Sequence, residues 1–288
     1  MKKINLLLFA SFLLALTSCS SSDDATAETN ANLIVKLKFD ENQVRLDNLV
    51  NPSVIAQGNA AQTPVMNEMS AHYLELSPTA NTLIGQGEVI YKGEETTKGG
   101  EKAIDFSKEI FVKDGEMFLK IPLKDIKKGN YEWLRISASY QNGKVKALYN
   151  GAEYDATLTS FLGYNTYIDN YTINGKNVVI KANKLQGYWG FEALGTVIDG
   201  QAPAGAITVP NPIYQTSPIP EGSCVLTGKF DKALAITGNE TKDVTITISF
   251  SINNSFEWNE VNVDGKYEPT AGEIPVDMGL RGLKLAVD

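Results

Sequence analysis

From Val244 to Ile252 an apolar residue occupies every second position: Val244, Ile246, Ile248, Phe250 and Ile252, with Thr or Ser between them. A period of two gathers those five side chains on one face of an extended strand, and no helix can gather them. The pattern recurs. Val35, Leu37 and Phe39 alternate with Lys36 and Lys38, and His72–Leu76, Glu88–Tyr91, Met117–Leu123, Asn177–Ala182 and Val225–Phe230 read as further strands. In Tyr131–Tyr140 the apolar face is Leu134, Ile136, Ala138 and Tyr140, with Glu132 at its start. Asn142-Gly143 then predicts a hairpin turn, with Lys144–Tyr149 returning as the partner strand, and Asn150-Gly151 and Asn174-Gly175 repeat that turn chemistry. Helical spacing is nearly absent; Asp125–Lys128 has room for a single turn. Many short strands separated by Gly, Pro and Asn predict an all-β fold, an antiparallel β-sandwich-like domain over residues 32–288 with long loops and very little helix. Gly200–Gly222 carries five prolines and reads as a long loop or a lobe boundary near 200–222.

Composition narrows the function classes. The formal net charge of −8 repels nucleic acid, so no nucleic-acid partner is expected. One histidine, His72, rules out a zinc site of the HExxH type and a Ser-His-Asp triad. No phosphate-binding glycine loop stands at a strand–helix junction, and no two carboxylates can be paired from spacing alone. The chain therefore reads as a binding or structural module rather than an enzyme.

The N-terminus carries an expectation about location. Lys2 and Lys3 precede an apolar run, Ile4–Leu16, broken only by Asn5 and Ser11. That is the length of a signal-peptide core and too short to span a membrane, which takes ~20 apolar residues. Leu16-Thr17-Ser18-Cys19 resembles a bacterial lipobox, which implies a signal peptide over 1–18 and a lipidated Cys19 as the first mature residue. Acyl chains there would insert at about 0.8 kcal/mol per methylene and hold the chain to a membrane without a transmembrane helix. The polar stretch 19–31 reads as a flexible tether. Ser20-Ser21-Ser22-Asp23-Asp24 resembles the surface-export signal of Bacteroidetes lipoproteins, which implies an outer-membrane, surface-exposed protein of the cell envelope. With Cys19 acylated, Cys224 is left without a partner in its own chain and reads as a buried small hydrophobe.

Two stretches are candidates for ligand chemistry. Glu260, Asn262 and Asp264 lie two apart and precede Gly265, the 1, 3, 5 and 6 pattern of a calcium loop, with the Lys266 carbonyl at position 7. Position 12 is Ala271 and no helix flanks the loop, so an Asx-rich turn is the competing reading. Calcium is the one cofactor this allows. Tyr188-Trp189 is the second candidate, because exposed aromatic faces stack on sugar rings; core packing is the competing reading there too.

Ser70–Ser77, Tyr131–Arg135, Lys184–Glu192, Val209–Pro212, Ser255–Trp258 and Val276–Gly282 resemble segments of uncharacterised surface lipoproteins of Bacteroidetes. More distantly, the strand ending in Phe39, the Ile121-Pro122 pair before Gly129-Asn130-Tyr131, and Gly187-Tyr188 are similar to the MbnP-like family of extracytoplasmic β proteins, some of which bind copper. With a single histidine no copper ligands are carried over. These resemblances imply a lipid-anchored binding or structural module. Its alternatives are a glycan-binding accessory protein of a nutrient-uptake system and a calcium- or copper-binding envelope protein. The implied partners are the membrane, through the lipid, and a glycan or an envelope protein.

Overall fold

The computed structural model describes residues 30–47, 51–202 and 214–288. The leader, Cys19, the tether except for its last two residues, and Val209–Pro212 lie outside the described residues. Among the described residues there are eighteen strands: β1 (Asn32–Asp40), β2 (Asn59–Gln62), β3 (Val65–Ser77), β4 (Glu88–Lys92), β5 (Glu95–Thr96), β6 (Ala103–Asp105), β7 (Met117–Pro122), β8 (Gly129–Tyr149) and β9 (Ala152–Phe161), then β10 (Asn165–Ile173), β11 (Lys176–Leu185), β12 (Tyr188–Ala193), β13 (Thr196–Gln201), β14 (Cys224–Ile236), β15 (Val244–Ser251), β16 (Phe256–Asn259), β17 (Ile274–Asp277) and β18 (Leu283–Val287). Helix is limited to single 3-10 turns among the described residues, one of them at Leu123–Asp125. The fold is all-β and sandwich-like.

The main sheet runs β13-β12-β9-β8-β14-β18-β15-β1-β7, with β3 attached along β8 and β4 along β3. The two clearest alternating stretches lie side by side: β1 pairs with β15 in parallel, Leu33 opposite Val244 through Phe39 opposite Phe250. Their inward residues Leu33, Val35, Leu37, Ile246, Ile248 and Phe250 meet Met69, Leu74, Leu134 and Ile136 in the largest core. Each such side chain contributes about 1.5–3 kcal/mol by leaving water. Tyr91 of β4, the outer strand of the β3 branch, and Phe118 of the edge strand β7 meet edge to face at 5.2 Å. Pro122 lies in β7, an edge strand, where its missing N–H breaks no ladder.

Strand β8 corrects one expectation. Asn142-Gly143 is not a turn; the chain runs extended through it for all 21 residues of β8. Lys144–Tyr149 does not return against Tyr131–Tyr140 but continues β8 and pairs with β9. Asn142 Oδ1 accepts from the Asn67 amide of β3 at 2.5 Å, and the Asn142 amide donates to Tyr140 Oη on β8 itself at 3.2 Å. A Cβ on Gly143 would lie 3.2 Å from the Val65 carbonyl and from Met66 Sδ, so the glycine serves close strand approach instead of a bend. Asn150-Gly151 and Asn174-Gly175 do turn, with positive φ at both residues of each pair, and they join β8 to β9 and β10 to β11. Strands on either side of the proline-rich segment, β12–β13 before it and β14 after it, belong to the same sheet through β9 and β8.

Two smaller sheets cover the main one. β11-β10-β6-β5 closes over an aromatic cluster of Phe106, Tyr140, Phe161, Tyr171 and Tyr188. β17-β16-β2 closes over Val145, Ala147, Ala156 and Leu158 with Phe256, Trp258 and Tyr267. Between residues 129 and 149, β8 serves two neighbours on one edge. Its first half pairs with β14 and its second half with β9. The sheet forks at Ser139, whose carbonyl accepts from the N–H groups of Leu162 and Gly163 just beyond β9.

Candidate functional site

A cleft of about 400 Å³ opens at that fork, between the main sheet and the small sheet that ends in β17. That size is within the range of small-molecule sites. Period two builds one wall. Leu158, Ser160 and Leu162 come from β9 and its end, and Trp189 and Phe191 from β12. Ile198 of β13 stands at the rim, 55% exposed. The Trp189 indole lies across β13, where a Cβ on Gly200 would stand 2.6 Å from the ring, so a glycine is required opposite it. Cys224, Val225 and Leu226 at the start of β14 form the floor, and Ile274, Met278 and Leu280 the facing wall.

The charged end of this wall is a closed cluster. Arg281 reaches Asp277 Oδ2 at 2.5 Å and Glu257 Oε2 at 3.2 Å, and Arg45 reaches the same Glu257 oxygen at 3.0 Å. Burial raises Glu257, but the Asn59 amide, the Ala56 N–H, Arg45 and Arg281 outweigh it and hold the carboxyl below its ordinary range. At Asp277 burial wins over Arg281 and the Gly279 N–H, and the carboxyl is raised. Burial, reinforced by the charge of Asp277, pushes the Cys224 thiol up to about 12, so at neutral pH it is a protonated, weakly nucleophilic group on the cleft floor.

The two residues of the aromatic candidate face opposite ways, as neighbours on a strand must. Trp189 lines the cleft, half-buried. Tyr188 is 1% exposed on the other face, packed against Phe161 and Tyr171, with Lys184 Nζ 4.5 Å over its ring. Trp258 is fully buried beside Phe256 and Tyr267.

In the 260–273 loop the acidic groups turn onto the chain's own N–H groups. Glu260 Oε1 accepts from Asp264 N and Gly265 N, and Asp264 Oδ1 from Lys266 N. The Asn262 amide donates to Glu268, and Lys266 Nζ faces Glu153 at 3.5 Å. Glu273, 3% exposed, organises the loop by accepting from Val261 N, Asn262 N and Glu268 N. Among the described residues no group of three or more His, Cys, Asp or Glu is placed to hold a metal ion.

Sequence reasoning missed the cleft floor and the ion cluster. Arg45, Glu257, Asp277 and Arg281 are spread over more than two hundred positions, and no local spacing joins them. It also missed Glu109. No protein hydrogen bond reaches either oxygen of that buried carboxyl, although the Ser139 and Ser70 hydroxyls stand beside it, and burial pushes it up to about 8. Comparison with protein-family models, curated proteins and solved structures finds no match to this chain.

Proposed function

We propose that this chain is a lipid-anchored protein of the bacterial cell envelope, exposed at the outer membrane, and that its β domain binds a small molecule in the cleft at the β8 fork. The single observation that carries the binding half is that cleft. It is concave, roomy enough for a ligand and floored by apolar side chains, and it presents one half-buried indole, Trp189. The anchoring half rests on the lipobox resemblance at Cys19. A tether of about a dozen residues would keep the domain within a few tens of Å of the membrane and raise its effective concentration there. A non-enzymatic role fits the site chemistry: Asp277 is the carboxyl of the charged wall nearest the cleft and is already paired with Arg281.

The test uses the full chain in its host membrane. Metabolic labelling with an alkyne fatty acid should mark the protein, and Cys19→Ser should abolish the label and release the protein from the membrane. For binding, envelope extracts should shift the tryptophan emission of the purified protein, and Trp189→Phe should remove the shift. Extracts that leave emission unchanged at every concentration would count against the cleft as a binding site.

A further inference from the structure

We infer that the ligand of this cleft is an uncharged, predominantly hydrocarbon molecule rather than a saccharide or an organic anion; this rests on the cleft being the binding site. The polar groups of the lining are largely taken up by the protein itself. Arg281 pairs with Asp277 and Glu257 through Nη2, its buried Nε bonding nothing in the protein, and Asp277 also accepts from Gly279 N at 2.6 Å. Asp47 accepts from the backbone and side-chain nitrogens of Asn51 at 2.8 and 3.1 Å. The Gln186 amide donates to the Leu162 carbonyl at 3.1 Å and the Gln201 amide to the Gln186 carbonyl at 2.7 Å. The Ser160 hydroxyl points at Met278 Sδ, 3.8 Å away.

Every charged group of the lining therefore has a protein partner. The ion cluster of Arg45, Arg281, Glu257 and Asp277 carries two charges of each sign, so it neither attracts nor neutralises a charged guest. A sugar ring brought against such walls would lose water from several hydroxyls, each left unpaired at a cost of about 1–3 kcal/mol. A carboxylate would be desolvated without a free cation to meet it. A hydrocarbon body loses nothing of the kind and gains about 25 cal/mol for each Å² removed from water against Leu158, Leu162, Phe191, Leu226 and Met278.

The neutral fluorophore N-phenyl-1-naphthylamine serves as the probe, with 1-decanol, decanoate and maltotriose as competitors on the full chain. The probe's emission should rise on binding. Decanol should displace it at concentrations at least tenfold below those needed for decanoate, and maltotriose should not displace it. Ile198→Lys places an ammonium at the exposed rim without touching the core. It should weaken decanol at least tenfold and narrow or reverse its advantage over decanoate, an exchange of preference that misfolding cannot produce. Displacement by maltotriose in preference to decanol would overturn the hydrocarbon ligand and leave the binding site standing. Decanoate binding as well as decanol in the unsubstituted protein would overturn the uncharged ligand. A probe signal that no competitor lowers and Ile198→Lys does not change would remove the cleft as a binding site altogether.

Discussion

The cleft wall and the outer face of β3 and β8 both take polar groups out of bulk water, and those groups are finished in different ways. Around the cleft each charged group and both glutamine amides have partners, although the Nε atoms of Arg45 and Arg281 bond nothing in the protein, and the space between the walls is open. On the outer face of β3 and β8 and beside it at Glu109, several polar groups are closed in without a protein partner. Ser70, Ser137 and Ser139 hydroxyls, His72 Nδ1 and both Glu109 oxygens make no protein hydrogen bond. One end of that face is satisfied: Glu75 accepts from Gly85 N and Gly87 N and stands 3.8 Å from Arg135, tying down the 78–87 loop. The difference separates two uses of buried polarity. A satisfied wall can face an apolar guest at no cost, whereas an unsatisfied interior makes stability depend on protonation.

The largest effect should come from making the cleft wall resemble the unsatisfied face. Arg281→Met leaves Asp277 with no cation and Glu257 with Arg45 alone. Removing one member of a buried pair costs about 3 kcal/mol or more, a fall in melting temperature of roughly 6–12 °C for a domain of this size. The double variant Asp277→Leu with Arg281→Met should recover part of that loss, because the orphaned charge is gone. Equal losses in the single and double variants, measured by thermal unfolding at pH 7, would mean that Arg281 contributes only its packing.

The complementary change satisfies what is unsatisfied. Glu109 sits among Ser139, Ser70, Tyr91 and Tyr140, and its folded pKa of about 8 lies above its ordinary 4.5. The folded state then holds the proton more tightly than the unfolded chain. The associated stability is complete below about 4.5 and is lost as pH rises toward and through about 8. Glu109→Gln should remove that slope and leave the protein more stable than the unsubstituted chain by about 2 kcal/mol at pH 9. Parallel pH profiles for the two proteins from pH 6 to 9 would show that the carboxyl is not held protonated.

His72 tilts the same face the other way. Burial, partly offset by Glu95 and aided by Lys92, lowers it to about 4. The unfolded chain then takes up the proton first, and stability is lost as pH falls from about 6.5 through about 4. His72→Gln should relieve about 1–2 kcal/mol at pH 5. Between about 4.5 and 6.5 the slopes of Glu109 and His72 oppose; above 6.5 Glu109 acts alone. A chemical-denaturation series across pH 4.5–9 with both variants reads the two contributions separately.

The alternating stretches made the strands and the fold class legible, since Val35, Leu37 and Phe39 or Ile246, Ile248 and Phe250 can share a face in no other way. What alternation could not tell is whether the polar face of a strand meets water. In β8, Arg135, Ser137 and Ser139 read as the outer face, yet all three are under 10% exposed, Arg135 because it is drawn onto Ser77 and the Thr82 carbonyl of the 78–87 loop. Asn142-Gly143 carried the wrong message for a related reason. The dipeptide favours a turn locally, but β3 and β9 both pair with β8 there and hold it extended. In the candidate site only Trp189 was legible, as an aromatic in a strand. Its neighbours in the cleft come from five separate segments that only the fork at Ser139 brings together.

The smallest effect concerns the 260–273 loop, which tests whether satisfied polarity at the surface behaves like that of the cleft. The Glu260, Asp264 and Glu273 carboxylates are engaged by the loop's own N–H groups, so a cation would have to displace several hydrogen bonds to gain its ligands. Asp264 is exposed and its bond to Lys266 N closes a single turn, so Asp264→Ala should cost no more than about 0.5 kcal/mol. Millimolar calcium should leave the melting temperature of both proteins where it was. A calcium-dependent rise in the unsubstituted protein that disappears in Asp264→Ala would instead mean that the carboxylates rotate away from the backbone to take an ion. The loop would then stand apart from the cleft as a place where internal pairing yields to a ligand.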